Sequence, residues 1–264
     1  MAMEVSRKTI KIAAVGDLHV RETDRGKWKE FFMAICGEAD ILVLAGDLTD
    51  TGDEDEAALL VEELKGCNIP MVGVLGNHDY EKGRQKLIKE TLAKANIQIL
   101  DGESVIIQGI GFAGVKGFGG GFGAAMLSKF GEEMMKQFVQ EAVDEALKLE
   151  RALARLGQHG GEVRKIAILH YAPIADTVVG ESLEIYPFLG SSRLLEPIQR
   201  NGDDMIAVFH GHAHKGQFAA ETAEGIKVWN VSLPLLTQQG KPYPFHLLEV
   251  ELEHISIATE LTDQ

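Results

Sequence analysis

Cysteine is scarce in this 264-residue chain: Cys36 and Cys67 are the only two. Two thiols with no second pair cannot build a four-thiolate zinc site or a disulfide framework. They are expected to be free thiols, buried or partly buried. Sparse cysteine also fits a reducing compartment. Long apolar runs are missing too, and none approaches the ~20 residues that a membrane helix needs. The short apolar stretch at 10–15 runs straight into a polar cluster, so it reads as a strand rather than a secretory leader. The expected location is the cytoplasm, with no membrane partner. Basic residues are outnumbered, 26 Lys and Arg against 40 Asp and Glu, for a formal charge of −14. Such a surface repels polyanions, because non-specific nucleic-acid binding depends on neutralisation of phosphates by cations. Nucleic acid is therefore not an expected partner. Part of the acidic excess (Glu54, Asp55, Glu56, Glu62, Glu63) reads as a solvated helix face.

What is present is an ordinary globular composition, 45% apolar and 25% charged. Short apolar runs alternate with helical periodicity. Residues 10–15, 41–45 and 71–75 are closed by Gly16, Gly46 and Gly76. Between and after them, 28–38, 54–66 and 83–95 carry apolar residues at helical spacing, and 97–100 reads as extended. This rhythm predicts buried strands joined by helical crossovers. Further on, 104–115 reads as a strand pair and 117–123, GFGGGFG, as a loop or a flap with two exposed Phe anchors. A long amphipathic helix is predicted over 131–156, with Phe138, Ala142, Leu149, Leu153 and Leu156 on one face. That stripe would pack on the core or bury itself in a second copy, making a homodimer. Residues 165–169 and 205–209 read as strands, 173–200 as irregular, and 226–232 and 245–252 as closing antiparallel strands. The expected fold class is α/β: two packed mixed sheets, a β-sandwich flanked by helices. It forms one domain over 1–264 with an insertion or cap at about 117–158.

Five of the strand ends carry polar clusters: Gly16-Asp17-Leu18-His19, Gly46-Asp47-Leu48-Thr49-Asp50, Gly76-Asn77-His78-Asp79, His170 after KIAIL, and Gly211-His212-Ala213-His214. Functional groups of open α/β sheets gather at the carboxyl ends of strands, so five clusters can face one crevice. Asp, Asn and His without thiolate suit Mn, Fe, Zn or similar ions. Side chains two apart on an extended chain point the same way, so Asp17 with His19, and His212 with His214, would each form a claw. A carboxylate bridges two ions more readily than an imidazole, and Asp47 is the natural bridge. Asp50 either caps the following helix or supports the site. His210 reads as packed under it. Arg21, Arg25 and Trp28 read as a solvated loop, and His159, His246 and His254 as surface or structural residues. The glycine run lacks the Lys-Ser/Thr ending of a nucleotide P-loop.

The order of these five clusters, spanning residues 16 to 214, resembles that of the calcineurin-like metallophosphoesterases. The resemblance implies that Asp17, His19 and His214 hold one metal ion, that Asn77, His170 and His212 hold a second, and that Asp47 bridges them. It implies that His78 sits beside the metals within reach of the phosphate or leaving group, with Asp79 orienting it. The implied cofactors are two divalent ions. The implied reaction is hydrolysis of a small phosphodiester, nucleotide or phosphomonoester by a hydroxide bridging those ions, with no protein nucleophile. Two other readings compete. A non-catalytic scaffold for protein contacts would be marked by lost ligand positions, and none is lost. A nuclease would need a basic stripe, and the charge runs the other way.

Overall fold

The computed structural model describes residues 3–158, 163–240 and 242–257. His159 and the side chain of His254 lie outside what it describes. The chain alternates as the spacing predicts: β1 (Met3–Val15), α1 (Lys29–Glu38), β2 (Ile41–Ala45), α2 (Glu54–Glu63), β3 (Met71–Val74), α3 (Gln85–Ala93), β4 (Ile97–Ile99). Then come β5 (Glu103–Ile107), β6 (Ile110–Gly114), α4 (Glu133–Gly157), β7 (Arg164–Ile168), α5 (Tyr186–Leu189) and α6 (Leu195–Arg200). The described chain ends with β8 (Met205–His210), β9 (Ala219–Glu221), β10 (Lys227–Asn230), α7 (Leu233–Thr237) and β11 (His246–Ile257).

Two mixed sheets result, in the orders β11-β1-β2-β3-β4 and β5-β6-β7-β8-β10-β9. In the first, β1 to β4 are parallel and β11 closes the edge antiparallel to β1. In the second, β6, β7, β8 and β10 are parallel, and β5 and β9 are antiparallel edges. The run at 226–232 is therefore not an antiparallel closing strand. It returns parallel to β8, so its carboxyl end reaches the same crevice as the motif strands.

Both faces of the inner strands are apolar, as parallel strands covered on two sides require. Along β6 and β7, Phe112, Ile166 and Ile168 face the cluster shared with β1, β2 and β3. Their neighbours Ala113 and Ala167 face Leu149, Leu153 and Leu156 of α4. Leu149, Leu153 and Leu156 of the α4 stripe are thus covered by the chain's own sheet, while Phe138 packs against Phe118 and Phe188. Phe118 and Phe122 of the glycine run are packed, against Phe138 and Tyr186 respectively, rather than exposed on a flap.

Three further expectations are corrected by pairing and burial. Cys36, on α1, and Cys67, after α2, are joined as a disulfide rather than left as free thiols. Glu56 and Glu63 are not on a solvated face. Glu56 closes a capping box with Asp53 at the start of α2. Glu63 accepts the backbone N–H groups of Gly26, Trp28 and Lys29 and so ties α2 to the start of α1. Trp28 is buried against Phe31 and Phe32. Among the described residues no helix is long and apolar enough to cross a membrane.

Candidate metal centre

The tips of β1, β2, β3, β7 and β8 meet at one edge of the sandwich. Backbone bonds lock them: Asp17 N donates to Gly46 O (2.9 Å), His19 N to Asp47 O (3.0 Å), and Gly211 N to His170 O (3.2 Å). Turning side chains inward at these tips requires unusual backbone. Asp17, His19, Asp47 and His212 are four of seven non-glycine residues with positive φ among the described residues (56°, 46°, 48° and 69°). Left-handed backbone at non-glycine residues costs free energy and persists where surrounding structure enforces it, often at functional sites. Asp17 and His19 are therefore brought together through tight turns, not through extended chain. Two glycines make room for them: a Cβ at Gly76 would run into the Asp47 carboxylate, and one at Gly211 into that of Asp17.

Three groups of nitrogen and oxygen donors result, each with its ligand atoms within 4.8 Å of one another: Asp17 with His19 and His214, Asp47 with His170 and His212, and His19 with Asp50 and His78. Asn77 joins the second group through Oδ1, 2.9 Å from His170 Nε2. His212 and His214 thus diverge to different groups instead of forming one claw. Asp47 lies between groups, with Oδ2 3.8 Å from His19 Nε2 and 3.4 Å from His170 Nε2. Its other oxygen accepts the backbone N–H of His78 (2.9 Å).

Asp79 does not orient His78. It is fully buried and accepts from Leu48 N, Thr49 N, Thr49 Oγ1 and Gly76 N, tying the loop after β2 to the loop after β3. The His78 ring is held instead by the carbonyl of Asp50, which accepts from Nδ1 at 2.7 Å. Asp50 supports the site: its carboxylate lies 3.4 Å from His19 Nδ1 and pairs with Arg21. The helix cap is Asp53.

The motif reading missed Asn230. It is buried at the end of β10, donates to Ala213 O (2.7 Å) and accepts from Ser232 N, holding the loop that carries His212 and His214. A polar residue closing the apolar run before 230 was its only signal.

Electrostatics follow from burial and pairing. Burial pushes Asp47 up, but His170, His78 and His19 outweigh it and hold its carboxyl below the usual carboxylate range. Burial beside charged Asp47 pushes Asp79 up to about 6. Burial lowers His170, yet Asp47 and Asp17 carry it up to about 9. His214 is raised by its hydrogen bond to Asp17. Burial lowers His19 and brings His212 down to about 4. Two buried carboxylates thus favour positive charge between the groups. Both ring nitrogens of His19 are buried without a hydrogen-bond partner. Buried unpaired polar atoms are costly and call for an explanation. A cation ligated by this thiolate-free donor set supplies one, so the residues fit divalent metal.

His210 is packed under the site, with Nδ1 donating to Gly211 O (2.8 Å) and Nε2 bonded to Thr177 Oγ1 (2.8 Å). Burial pushes it down to about 4. The unfolded chain, near 6.5, then binds its proton more tightly than the folded protein. Stability from keeping His210 neutral is present above about pH 6.5 and is lost as pH falls from there towards 4, by up to about 3 kcal/mol. Burial lowers His212 to about 4 in the same way, and Asp79, raised to about 6, titrates with the opposite sign. Denaturant unfolding of chelator-treated protein at stepped pH should therefore show a smaller loss of stability between about pH 6.5 and 4 in His210→Gln than in the parent protein. An unchanged slope in the variant would place the acid sensitivity elsewhere. His170, shifted the opposite way, contributes little slope below about pH 5.5, where it is protonated in both states.

Two cavities flank the donor groups. One of about 580 Å³ opens on Asp17 and His19 and is bordered by Arg21, Asp24, Lys27 and Tyr243. One of about 320 Å³ opens on Asn77 and His212.

Comparison with known proteins agrees with this geometry. Residues 10–216 match the calcineurin-like phosphoesterase family, and the chain belongs to it. Two curated relatives are each named "Probable cyclic nucleotide phosphodiesterase". The one from Fibrobacter succinogenes is 31% identical over 84 residues, 28% of this chain and 33% of that protein. The one from Coxiella burnetii is 32% identical over 90 residues, 31% of this chain and 36% of that protein. The chain thus spans about a third of the length of each relative. Among solved structures, the phosphopantetheinyl hydrolase of Mycobacterium tuberculosis superposes with a TM-score of 0.65 at 14% identity, covering 90% of this chain and 95% of the other. The protein TT1561 of Thermus thermophilus superposes with a TM-score of 0.50 at 14% identity, covering 87% and 92%. At that identity the likeness concerns the fold.

Proposed function

We propose that this chain is a metal-dependent phosphoesterase that hydrolyses a small phosphodiester or nucleotide at a centre for two divalent ions. The observation that carries the reading is the position of Asp47 Oδ2, between His19 of one donor group and His170 of the next. Asp17, His19 and His214 would hold one ion, Asn77, His170 and His212 the other, and Asp47 both. Bound there, the ions would polarise water and the phosphate oxygens and offset the charge that develops on phosphoryl transfer.

The chain's own groups do the rest. His170 Nδ1 donates to the Ala45 carbonyl (3.0 Å), which aims Nε2 inward and fixes the ring. His212 N donates to both oxygens of Asp17, which holds that carboxylate's orientation. With Nδ1 held by Asp50 O, His78 keeps Nε2 for the substrate. As water adds to phosphorus and the ester P–O bond breaks, the leaving oxygen needs a proton, which His78 in its imidazolium form would give from Nε2 while Nδ1–H stays on the Asp50 carbonyl. The names of the two curated relatives favour a diester. The acidic surface favours a small substrate over a polyanion.

The test is hydrolysis of bis(p-nitrophenyl) phosphate and p-nitrophenyl phosphate by Mn²⁺-loaded protein. The diester is expected to have the higher kcat/KM, by about tenfold or more. Turnover of neither, with no metal bound, would support the scaffold reading instead.

A further inference from the structure

The smaller cavity has walls of an unusual kind. Phe118 comes from the glycine run, Phe138 from α4, Tyr171 from the loop after β7, and Phe188 from α5; Asn77 and His212 form its metal-side wall. The rings are arranged edge to face or tilted. Phe118 and Phe138 lie 4.8 Å apart, Phe138 and Phe188 6.0 Å, and Tyr171 and His212 4.5 Å.

The walls are tied together, not loosely hung. Gly120 N donates to Pro187 O (2.6 Å), Gly121 N to Gly190 O (2.9 Å), and Ala172 N to Leu189 O (3.0 Å). Lys116 Nζ lies 4.8 Å from the Phe118 ring and 5.3 Å from that of Tyr171. Gly119 lets the glycine run lie against α5, since a Cβ there would come within 2.5 Å of the Pro187 carbonyl oxygen. Phe188 is the exception to the packing: it is 58% exposed at the rim, although its carbonyl holds His212 Nε2 at 3.1 Å. No Asp, Glu, Lys or Arg borders this cavity, in contrast to the Asp17 side.

We propose that this cleft seats a planar aromatic ring carried on the substrate's ester group, so that the chain selects aryl or nucleobase phosphoesters over alkyl ones. A flat, uncharged ring matches a lining of aromatic rings, an amide and an imidazole, with Lys116 Nζ near the Phe118 and Tyr171 rings but outside the lining. It would also cover Phe188. The glycine run and α4, which carry none of the metal motifs, would then serve as the specificity wall. This inference rests on the phosphoesterase reading, because the ring is placed by its phosphate at the donor groups.

Binding, not turnover, tests it. Phenylphosphonate and methylphosphonate present the same anionic head and cannot be hydrolysed as esters. Isothermal titration into Mn²⁺-loaded full-length protein should give a preference for phenylphosphonate of about tenfold or more, the scale of one aromatic stacking contact. In Phe188→Ala the ratio of the two affinities should fall to within about twofold, and Phe188→Tyr should restore it. Phe188 is exposed, so these variants are expected to fold. Equal affinities in the parent protein, or an unchanged ratio in Phe188→Ala, would overturn the cleft assignment while leaving the phosphoesterase reading intact. Binding of neither phosphonate would remove that reading, and the cleft assignment with it.

Discussion

Asp47→Asn is expected to lose nearly all turnover and to lower metal affinity by about a hundredfold or more. Loss of outer partners of metal ligands alone costs 10–100-fold, and Asp47 is itself the shared donor. The side chain keeps its size, so the change is one of charge. Asp47 is buried, and its Oδ2 faces histidines of two donor groups. An amide there cannot offset two dications. Removal of the charge relieves a like-charge contact with Asp79 but also breaks the pairing with His170, His78 and His19, so the metal-free variant is expected to fold with reduced stability, and its fold is checked by circular dichroism alongside. Elemental analysis after equilibration with Mn²⁺, together with kcat/KM on the diester, reads both effects. Wild-type activity with full metal content would show that Asp47 does not bridge.

The second large effect is at His78, and it should have the opposite signature. His78→Ala is expected to keep its metal and lose about 10²–10⁴-fold in kcat, the range typical of a lost general acid. The ring is held at Nδ1 by the Asp50 carbonyl and packs edge-on to His19 at 4.4 Å, at the side of the donor groups. If it gives a proton to the leaving oxygen, the loss should be smallest for nitrophenolate, which leaves unprotonated, and larger for poor leaving groups. Unchanged turnover would remove His78 from the reaction. Loss of metal would instead make it a ligand, in the group it forms with His19 and Asp50.

Much of the site could be read along the chain, because each donor cluster follows a short apolar run, closed by glycine in every case but that of His170. A parallel strand buried on both faces is itself an apolar run, and the crevice lies at its carboxyl end. The residues that support the donors were harder to find. Asp79 is next to His78 in sequence, yet its bonds go to Leu48, Thr49 and Gly76. The group that holds His78 is a backbone carbonyl, which no side-chain motif can mark. Asn230 and Glu63 act through backbone N–H and C=O groups far away in sequence, and acidic or amide residues of either kind look like surface residues when read singly.

The sequence by itself determined the element order, the strand tips, and the supply of oxygen and nitrogen donors without thiolate, since periodicity and residue chemistry are local properties. Periodicity and residue chemistry left open which donors meet, and the grouping that the resemblance implied is formed only by tertiary structure. His212 and His214 part company because the backbone at His212 turns left-handed, and Asp47 stands between groups because β1, β2 and β7 bring their ends together. The aromatic cleft is likewise a product of packing. Its rings come from four separated segments, and bonds joining 120–121 to 187–190 and 172 to 189 help to set them around one space.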